Sequence, residues 1–250
     1  MSSRPEPITY ALTPGDNLFQ LSRAYKTTVL SILAENPGVD PYDLPVGECL
    51  RILPGEPLAV DPGEACPDPA LQFKLLSDMR NRWEQHVFWT RLFLISVADR
   101  LADLKNTESR LMQNPKDIAG IFSAYYTAAT AMSVEQLLTE HLQIGGALMI
   151  ALRDQKTMDA EKLRTEWYQN AGRMADAFSG INPYFRRGEL YDMLSTHLDL
   201  TTREVAARLS GDYKGDVAAF DSVEEEALSM ADYFSVGIMR QFPQRFCQHP

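Results

Sequence analysis

Five polar residues occupy positions that an apolar stripe should fill in the C-terminal part of the sequence. Each interrupts apolar residues spaced three and four apart, and they are His86, His141, Asn170, His197 and Asp232. A buried polar side chain costs about 1–3 kcal/mol unless it finds a partner. These groups are therefore expected to meet one another, the backbone, water or a metal ion.

Two interpretations of these residues are open. In the first, the three histidines and Asp232 ligate a transition metal, with Glu84 or Glu140 assisting. In the second, the side chains form hydrogen-bonded layers that fix the register of the helices. The Glu-x-x-His signature of di-iron bundles is absent at both glutamates, and adjacent helical residues such as Glu140 and His141 point about 100° apart. The sequence favours the second interpretation, without a cofactor, and the metal site stays the alternative.

The elements that carry these residues are predicted to be long helices. From residue 71 onward, apolar residues follow a helical period, which predicts an all-α helical bundle over residues 71–250. Two further segments are interpreted locally: Asn114 caps a short helix that Pro115 begins, and residues 224–226, three glutamates, form a solvated first turn. Gly145 and Gly146 indicate a close approach between helices.

The bundle contains a weak internal repeat. Residues 83–86 resemble residues 167–170, and residues 137–142 resemble residues 193–198. The two offsets, 84 and 56 residues, differ. This pattern suggests duplication of a helical unit, giving either two bundle halves or one six-helix array.

The composition changes sharply near residue 70. Residues 1–70 contain 11 of the 15 prolines, and proline is excluded from helix interiors. Residues 57–70 are rich in proline, glycine and acidic residues and are predicted to form a semi-rigid linker that contains Cys66. We therefore predict a module over residues 1–56, this linker, and the bundle.

The N-terminal module has the element order strand, helix, helix, strand. Residues 8–12 alternate and contain β-formers, residues 13–17 form a dense turn signal, and Asp16 or Asn17 can cap the helix that follows. Residues 36–38, Asn-Pro-Gly, end a second short helix, and residues 47–53 read as a turn and a strand.

Residues 8–54 resemble a LysM domain. The landmarks of that family occur in order and at the family's spacing: Tyr10, residues 14–19 (PGDNLF), Leu21, Tyr25, residues 27–29, Ile32, residues 36–40 (NPGVD), Leu44, residues 46–47 and residues 50–52 (LRI). Asn17 stands where threonine is usual. The resemblance implies a small α+β domain of βααβ order, placed before the larger all-α bundle.

The resemblance also implies non-catalytic binding of a glycan that contains N-acetylglucosamine, such as peptidoglycan or chitin. The sugar groove of the family lies between two loops. In this sequence the loops consist of Gly15, Asp16, Asn17 and Leu18 and of Asn36, Pro37, Gly38, Val39 and Asp40. Loop backbone can pair with the acetamido group, while Leu18, Pro37 and Val39 are expected to supply an apolar wall.

Charge and hydropathy exclude several other classes of protein. The 250 residues carry 24 basic and 34 acidic side chains, so a net charge of −10 gives no general attraction for nucleic acid or anionic lipid. The apolar runs are too short to span a membrane, and the N-terminus lacks the apolar segment of a secretion signal. No nucleophile, phosphate-loop, dinucleotide or HExxH motif occurs.

Together these observations favour a binding protein over an enzyme. We expect the module to carry the bundle, as an assembly or interaction domain, to a glycan surface. The chain is expected to be made in the cytoplasm and, by analogy with coat proteins that reach spore glycan without crossing a membrane, to be spore- or envelope-associated. Two alternatives stay open: a metal-binding bundle protein or enzyme, and a self-associating structural subunit.

Overall fold

A computed structural model describes residues 6–14, 16–27, 29–36, 39, 44–55 and 68–247. The chain divides into two compact units, Met1–Cys66 and Pro67–Pro250. Each unit has its own hydrophobic core and is described by itself.

The N-terminal unit has the predicted βααβ order. Its elements are β1 (Ile8–Ala11), α1 (Leu18–Ala24), α2 (Val29–Glu35) and β2 (Cys49–Ile52). The two strands pair antiparallel, with Ile8 opposite Ile52 and Ala11 opposite Cys49. The predicted cap is present, because Asn17 Oδ1 accepts a hydrogen bond from the backbone N–H of Gln20 at 2.9 Å.

A small apolar core holds this unit together. Its buried members are Leu12, Leu18, Leu21, Ile32, Leu50 and Ile52. Leu50 and Ile52 alternate with exposed neighbours along β2, which is the pattern of a strand with one face on a core. The core therefore fixes the strands and helices relative to one another.

The C-terminal unit consists of helices. They are α3 (Pro69–Ala98), α4 (Leu104–Leu111), α5 (Asn114–Ser123), α6 (Ala128–Arg153), α7 (Thr157–Ile181), α8 (Arg187–Ser210), α9 (Tyr213–Gln241) and a final 3-10 turn, Pro243–Phe246. Asp68 caps α3 by accepting from the backbone N–H of Ala70 at 2.8 Å. Pro69 suits the first turn of that helix, where its missing N–H has no intrahelical partner to lose.

Six of the described helices form a closed ring in chain order. From α5 to α9 each helix packs against the next, and α3 closes the ring by packing against both α5 and α9. Helix α3 also contacts α6 and α8 across the ring, and α4 packs beside α3. The arrangement matches the six-helix array rather than two bundle halves.

Aromatic side chains fill one part of the ring's core. The rings of Phe178 and Phe234 lie 4.7 Å apart between centroids, and Trp83 stacks on Phe234 at 5.6 Å. Gly145 allows the close approach that its position predicts, because a Cβ there would lie 3.0 Å from Cζ2 of Trp167. In the described residues no helix combines the length and the apolar character needed to cross a membrane.

A buried ion cluster joins three helices of the ring. Nη1 of Arg91 on α3 lies 2.6 Å from Oε1 of Glu204 on α8 and 2.9 Å from Oδ1 of Asp216 on α9. The two carboxylates are almost fully buried, and burial raises the pKa of Glu204 to about 7 despite the contact with Arg91. Arg208 on α8 approaches Asp216 as well, with Nη1 3.5 Å from Oδ2, and the cluster ties the three helices together.

Candidate functional site

The first loop of the N-terminal unit is held by Asp16. Its Oδ2 accepts hydrogen bonds from the Tyr10 hydroxyl at 2.9 Å, the Thr13 backbone N–H at 2.7 Å and the Thr13 hydroxyl at 2.8 Å. Hydrogen bonds from Thr13 and Tyr10 lower the pKa of Asp16, so the carboxylate form is favoured. Asp16 is thus a positioning residue for the turn that precedes α1.

The second loop is held by Asn36. Its amide nitrogen donates to the carbonyl oxygens of Ile32 at 2.6 Å and Arg51 at 2.7 Å, while its Oδ1 accepts from the Arg51 N–H at 2.7 Å. One side chain thereby joins the end of α2 to the outer edge of β2. Asn36 therefore fixes the end of α2 against β2.

The other predicted sugar-binding residues are placed differently. Leu18 is buried in the core of the unit, so its side chain does not form the expected apolar wall; α1 turns it inward because its period places it beside Leu21. Val39 is half-buried at the edge of the same core. Four residues of the predicted set lie outside the described residues: Gly15, Pro37, Gly38 and Asp40.

In the helical unit, the three seam histidines converge. One ring nitrogen from each of His86, His141 and His197 lies within 4.8 Å of the others, and all three residues are buried. Their ring centroids are 5.8–6.3 Å apart. The histidines come from α3, α6 and α8, the three helices that alternate around the ring.

Each histidine has a partner from the helix that follows in the ring. His86 Nδ1 lies 2.9 Å from Oδ1 of Asn114 on α5, and His141 Nδ1 lies 3.2 Å from Oδ1 of Asn170 on α7. His197 Nδ1 lies 3.2 Å from Oε2 of Glu226 on α9. The sequence separations are 28, 29 and 29 residues, so one pattern occurs three times.

The hydrogen-bond network fixes the tautomer of His86. The amide nitrogen of Asn114 donates to the carbonyl oxygen of Arg82 at 2.8 Å, and a carbonyl oxygen can only accept. Asn114 therefore presents its oxygen to the imidazole, and His86 Nδ1 must be the protonated donor. In the neutral ring this leaves Nε2 with a lone pair.

The same reasoning applies to the other two histidines. Asn170 donates to the Leu137 carbonyl oxygen at 3.2 Å and to Glu140 at 3.3 Å, so its oxygen faces His141. The Glu226 carboxylate accepts from His197. Burial lowers the pKa of His86 to about 4 and that of His141 well below its ordinary value, so both rings are neutral at pH 7.

A small cavity adjoins the three rings. Its volume is about 20 Å³, enough for one water molecule. Its lining includes Thr90, Gly145 and Thr201, each one helical turn after a histidine. Among the described residues, the buried Thr201 hydroxyl finds no hydrogen-bond partner, and neither does Oε1 of Glu226.

The structure does not bring Asp232 to the histidines. Its carboxylate pairs with Arg80, whose Nε lies 2.6 Å from Oδ1, and both side chains are partly exposed. Asp232 as a fourth ligand is therefore wrong: it lies on the side of α9 that meets α3 near the surface. Glu84 is exposed, and Glu140 reaches His141 only through Asn170.

Two of the residues that contact the histidines have roles other than the ones predicted from the sequence. Asn114 is the first residue of α5 rather than its cap and is fully buried against His86. Glu226 lies in the middle of α9 rather than in a solvated first turn, because that helix begins at Tyr213. The signal that could have found both is the separation of 28–29 residues between each histidine and a carbonyl or carboxylate side chain.

Comparison with known proteins identifies the first unit. The family of the LysM domain matches residues 10–52, and the helical unit has no family assigned. No curated protein and no solved structure matches the chain significantly. Residues 10–52 thus form a LysM domain, and LysM domains generally bind glycans that contain N-acetylglucosamine.

Proposed function

We propose that residues 8–54 bind an N-acetylglucosamine-containing glycan, such as peptidoglycan or chitin, without catalysis, and thereby localise the helical bundle on a spore or cell envelope. The observation that carries this proposal is the LysM match over residues 10–52, which includes both loops of the family's groove. In the described part of the two loops, the polar atoms of Asp16 and Asn36 bond to other residues of the domain.

Recognition by loop backbone rather than by these side chains is suited to an amino sugar. An acetamido group offers one N–H donor and one carbonyl acceptor, and loop backbone can pair with both. Because the side chains of Asp16 and Asn36 are engaged within the domain, recognition of the sugar is assigned to the loop backbone, together with the half-buried Val39. A single small groove buries little surface, so one copy binds weakly and retention grows with the number of copies held together.

The experiment is retention of the full chain on insoluble glycans. Chitin and purified peptidoglycan are compared with cellulose, a matched polymer that lacks the acetamido group. A variant without residues 1–56 retains the separate helical unit and controls for adsorption through the bundle. The proposal expects retention on chitin or peptidoglycan, little on cellulose, and loss without residues 1–56.

A conservative surface variant completes the design. Glu48→Gln changes the charge of an exposed side chain outside both loops and is expected to bind as the parent does. Retention that is equal on cellulose, or equal in the variant without residues 1–56, contradicts the proposal. Absence of retention on both chitin and peptidoglycan contradicts it as well.

A further inference from the structure

We propose that the helical unit binds one divalent transition-metal ion through the Nε2 atoms of His86, His141 and His197, with a water molecule as the fourth ligand. The site is independent of glycan binding, since all of its residues belong to the bundle. Three neutral imidazoles and an oxygen ligand form a donor set suited to Zn²⁺ and its neighbours, and unsuited to Mg²⁺ or Ca²⁺.

The first argument is the direction of the protons. The Nδ1–H of each ring is held by a carbonyl or carboxylate oxygen, so Nε2 is the ring nitrogen left free in all three histidines. Hydrogen-bonded layers that only fix helix register should pair donors with acceptors. Here three Nε2 atoms share one buried space, and a cation bound to the neutral rings satisfies all of them.

The second argument is distance. Ring nitrogens from the three histidines lie within 4.8 Å of one another. A tetrahedral Zn²⁺ with bonds of about 2.0–2.1 Å holds its nitrogen ligands about 3.3 Å apart. Each ring nitrogen therefore has to move toward the centre of the cluster by about 0.9 Å at most, which small rotations of the imidazoles can supply.

The third argument is charge. Glu226, whose side chain is mostly buried, faces His197 and leaves Oε1 without a hydrogen bond from any described residue. A carboxylate behind a metal-bound imidazole orients the ring and offsets part of the ion's charge. Asn114 and Asn170 provide the neutral counterparts behind the other two histidines, and the Glu140 carboxylate extends the network behind Asn170.

The fourth position is defined by the cavity and by Thr201. The cavity of about 20 Å³ holds one water-sized ligand, and the buried Thr201 hydroxyl in its lining has no partner in the described part of the chain. A metal-bound water or hydroxide there can exchange a hydrogen bond with that hydroxyl. The size of the cavity restricts the ligand to water, hydroxide or a molecule of similar size.

The test begins with the metal content of the full chain, purified without a histidine tag. The protein is stripped with a chelator, reloaded separately with Zn²⁺ or Co²⁺, and analysed by mass spectrometry of the elements. We expect about one equivalent of metal per chain and, with Co²⁺, the intense visible absorption of a four-coordinate site. A folded parent protein that takes up neither ion overturns the proposal.

Substitutions then locate the ion. His141→Gln and His197→Gln are expected to abolish stoichiometric binding, while His249→Gln, which changes the remaining histidine of the sequence, retains it. Circular dichroism records whether each variant is folded. Full metal content in both His141→Gln and His197→Gln, or loss only in His249→Gln, overturns the assignment of the ligands.

Thr201→Val covers the case in which the histidine variants do not fold. Valine has the shape of threonine without the hydroxyl, so the bundle should fold and keep one equivalent of Co²⁺. Loss of the hydrogen bond to the bound water is expected to shift the Co²⁺ absorption bands. A spectrum identical to that of the parent overturns the place of Thr201 beside the fourth ligand.

Discussion

The LysM domain and the helical bundle use buried or pinned polar groups in opposite ways. In the LysM domain, Asp16 and Asn36 form hydrogen bonds with the domain's own backbone and side chains. In the bundle, each of the three histidines is hydrogen-bonded through Nδ1, and its second ring nitrogen stays free beside the other two rings. Polar groups of the first kind, which bond only within the protein, shape a loop. Polar groups of the second kind, which keep one ring nitrogen free, can bind a ligand.

The bundle also contains polar groups of the first kind, which permits a comparison within one unit. Arg91 pairs with Glu204 and Asp216 where α3, α8 and α9 meet, and Arg208 also approaches Asp216. The histidine cluster uses α3 and α8 as well. The same helices thus carry a closed ionic cluster and an open imidazole cluster, and the two should respond differently to substitution.

The largest expected effect is that of Arg91→Met on the stability of the bundle. The change leaves two buried carboxylates without their principal cation, which typically costs about 3–5 kcal/mol. Tryptophan fluorescence during denaturation measures it, because all three tryptophans belong to the bundle. Lys74→Met is the matched control on the same helix: its exposed pair with Asp78 should contribute almost nothing measurable to stability. Equal losses in the two variants would contradict the account of the closed cluster.

The next effect is that of metal on the same transition. At a free Zn²⁺ concentration about 100 to 1,000 times the dissociation constant, binding to the folded state alone stabilises it by about 3–4 kcal/mol. Chelation should therefore lower the unfolding midpoint reported by tryptophan fluorescence. Hydrogen exchange of peptides within residues 6–55 should be unchanged, since the LysM domain is a separate compact unit. An unfolding midpoint that does not change on chelation, in a protein shown to bind the metal, would contradict the contrast between the bundle and the LysM domain.

A smaller effect is expected from Asn36→Ala in the LysM domain. The substitution removes three hydrogen bonds and leaves backbone groups of Arg51 unpaired, at a cost of about 1–3 kcal/mol. Hydrogen exchange within residues 44–55 should accelerate and glycan retention should fall, while tryptophan fluorescence of the bundle stays the same. If hydrogen exchange accelerates but glycan retention is unchanged, the contacts of Asn36 are not needed for sugar binding.

The smallest effects come from one substitution made in both regions. Thr201→Val removes a buried hydroxyl that no described residue pairs with and should stabilise the metal-free bundle by about 1 kcal/mol, or about 2–4 °C in the melting midpoint. Thr13→Val removes a hydroxyl that donates to Asp16 and should destabilise the LysM domain by about 0.5 kcal/mol. Changes of opposite sign in the free energy of unfolding support the contrast between the two regions, and changes of the same sign would contradict it.

The two regions also differ in how much the sequence predicts. The βααβ order and the cap at Asn17 follow from turn and helix signals that are contiguous in the sequence. The LysM domain can therefore be predicted from one short stretch of the chain. The inward position of Leu18 was not, because a loop landmark of the family is also a core position of α1.

In the bundle, helical periodicity predicted the elements and marked the histidines as misplaced polar groups. It could not say which polar positions meet, because each pair comes from different helices 28–29 residues apart. Asp232 interrupts the apolar period in the same way and pairs with Arg80 instead, while Glu226, which the period does not mark, faces His197. Helix rotation and ring closure, which are tertiary properties, decide between these outcomes.

Anomalous diffraction from crystals of Zn²⁺-loaded protein, recorded on both sides of the zinc absorption edge, tests the central claim that the imidazole cluster is a binding site. The account predicts one strong peak inside the bundle, about 2.0–2.1 Å from Nε2 of each histidine of the cluster, with a fourth ligand toward Thr201. A bundle core without an anomalous peak, with the three imidazoles hydrogen-bonded to one another, would contradict it.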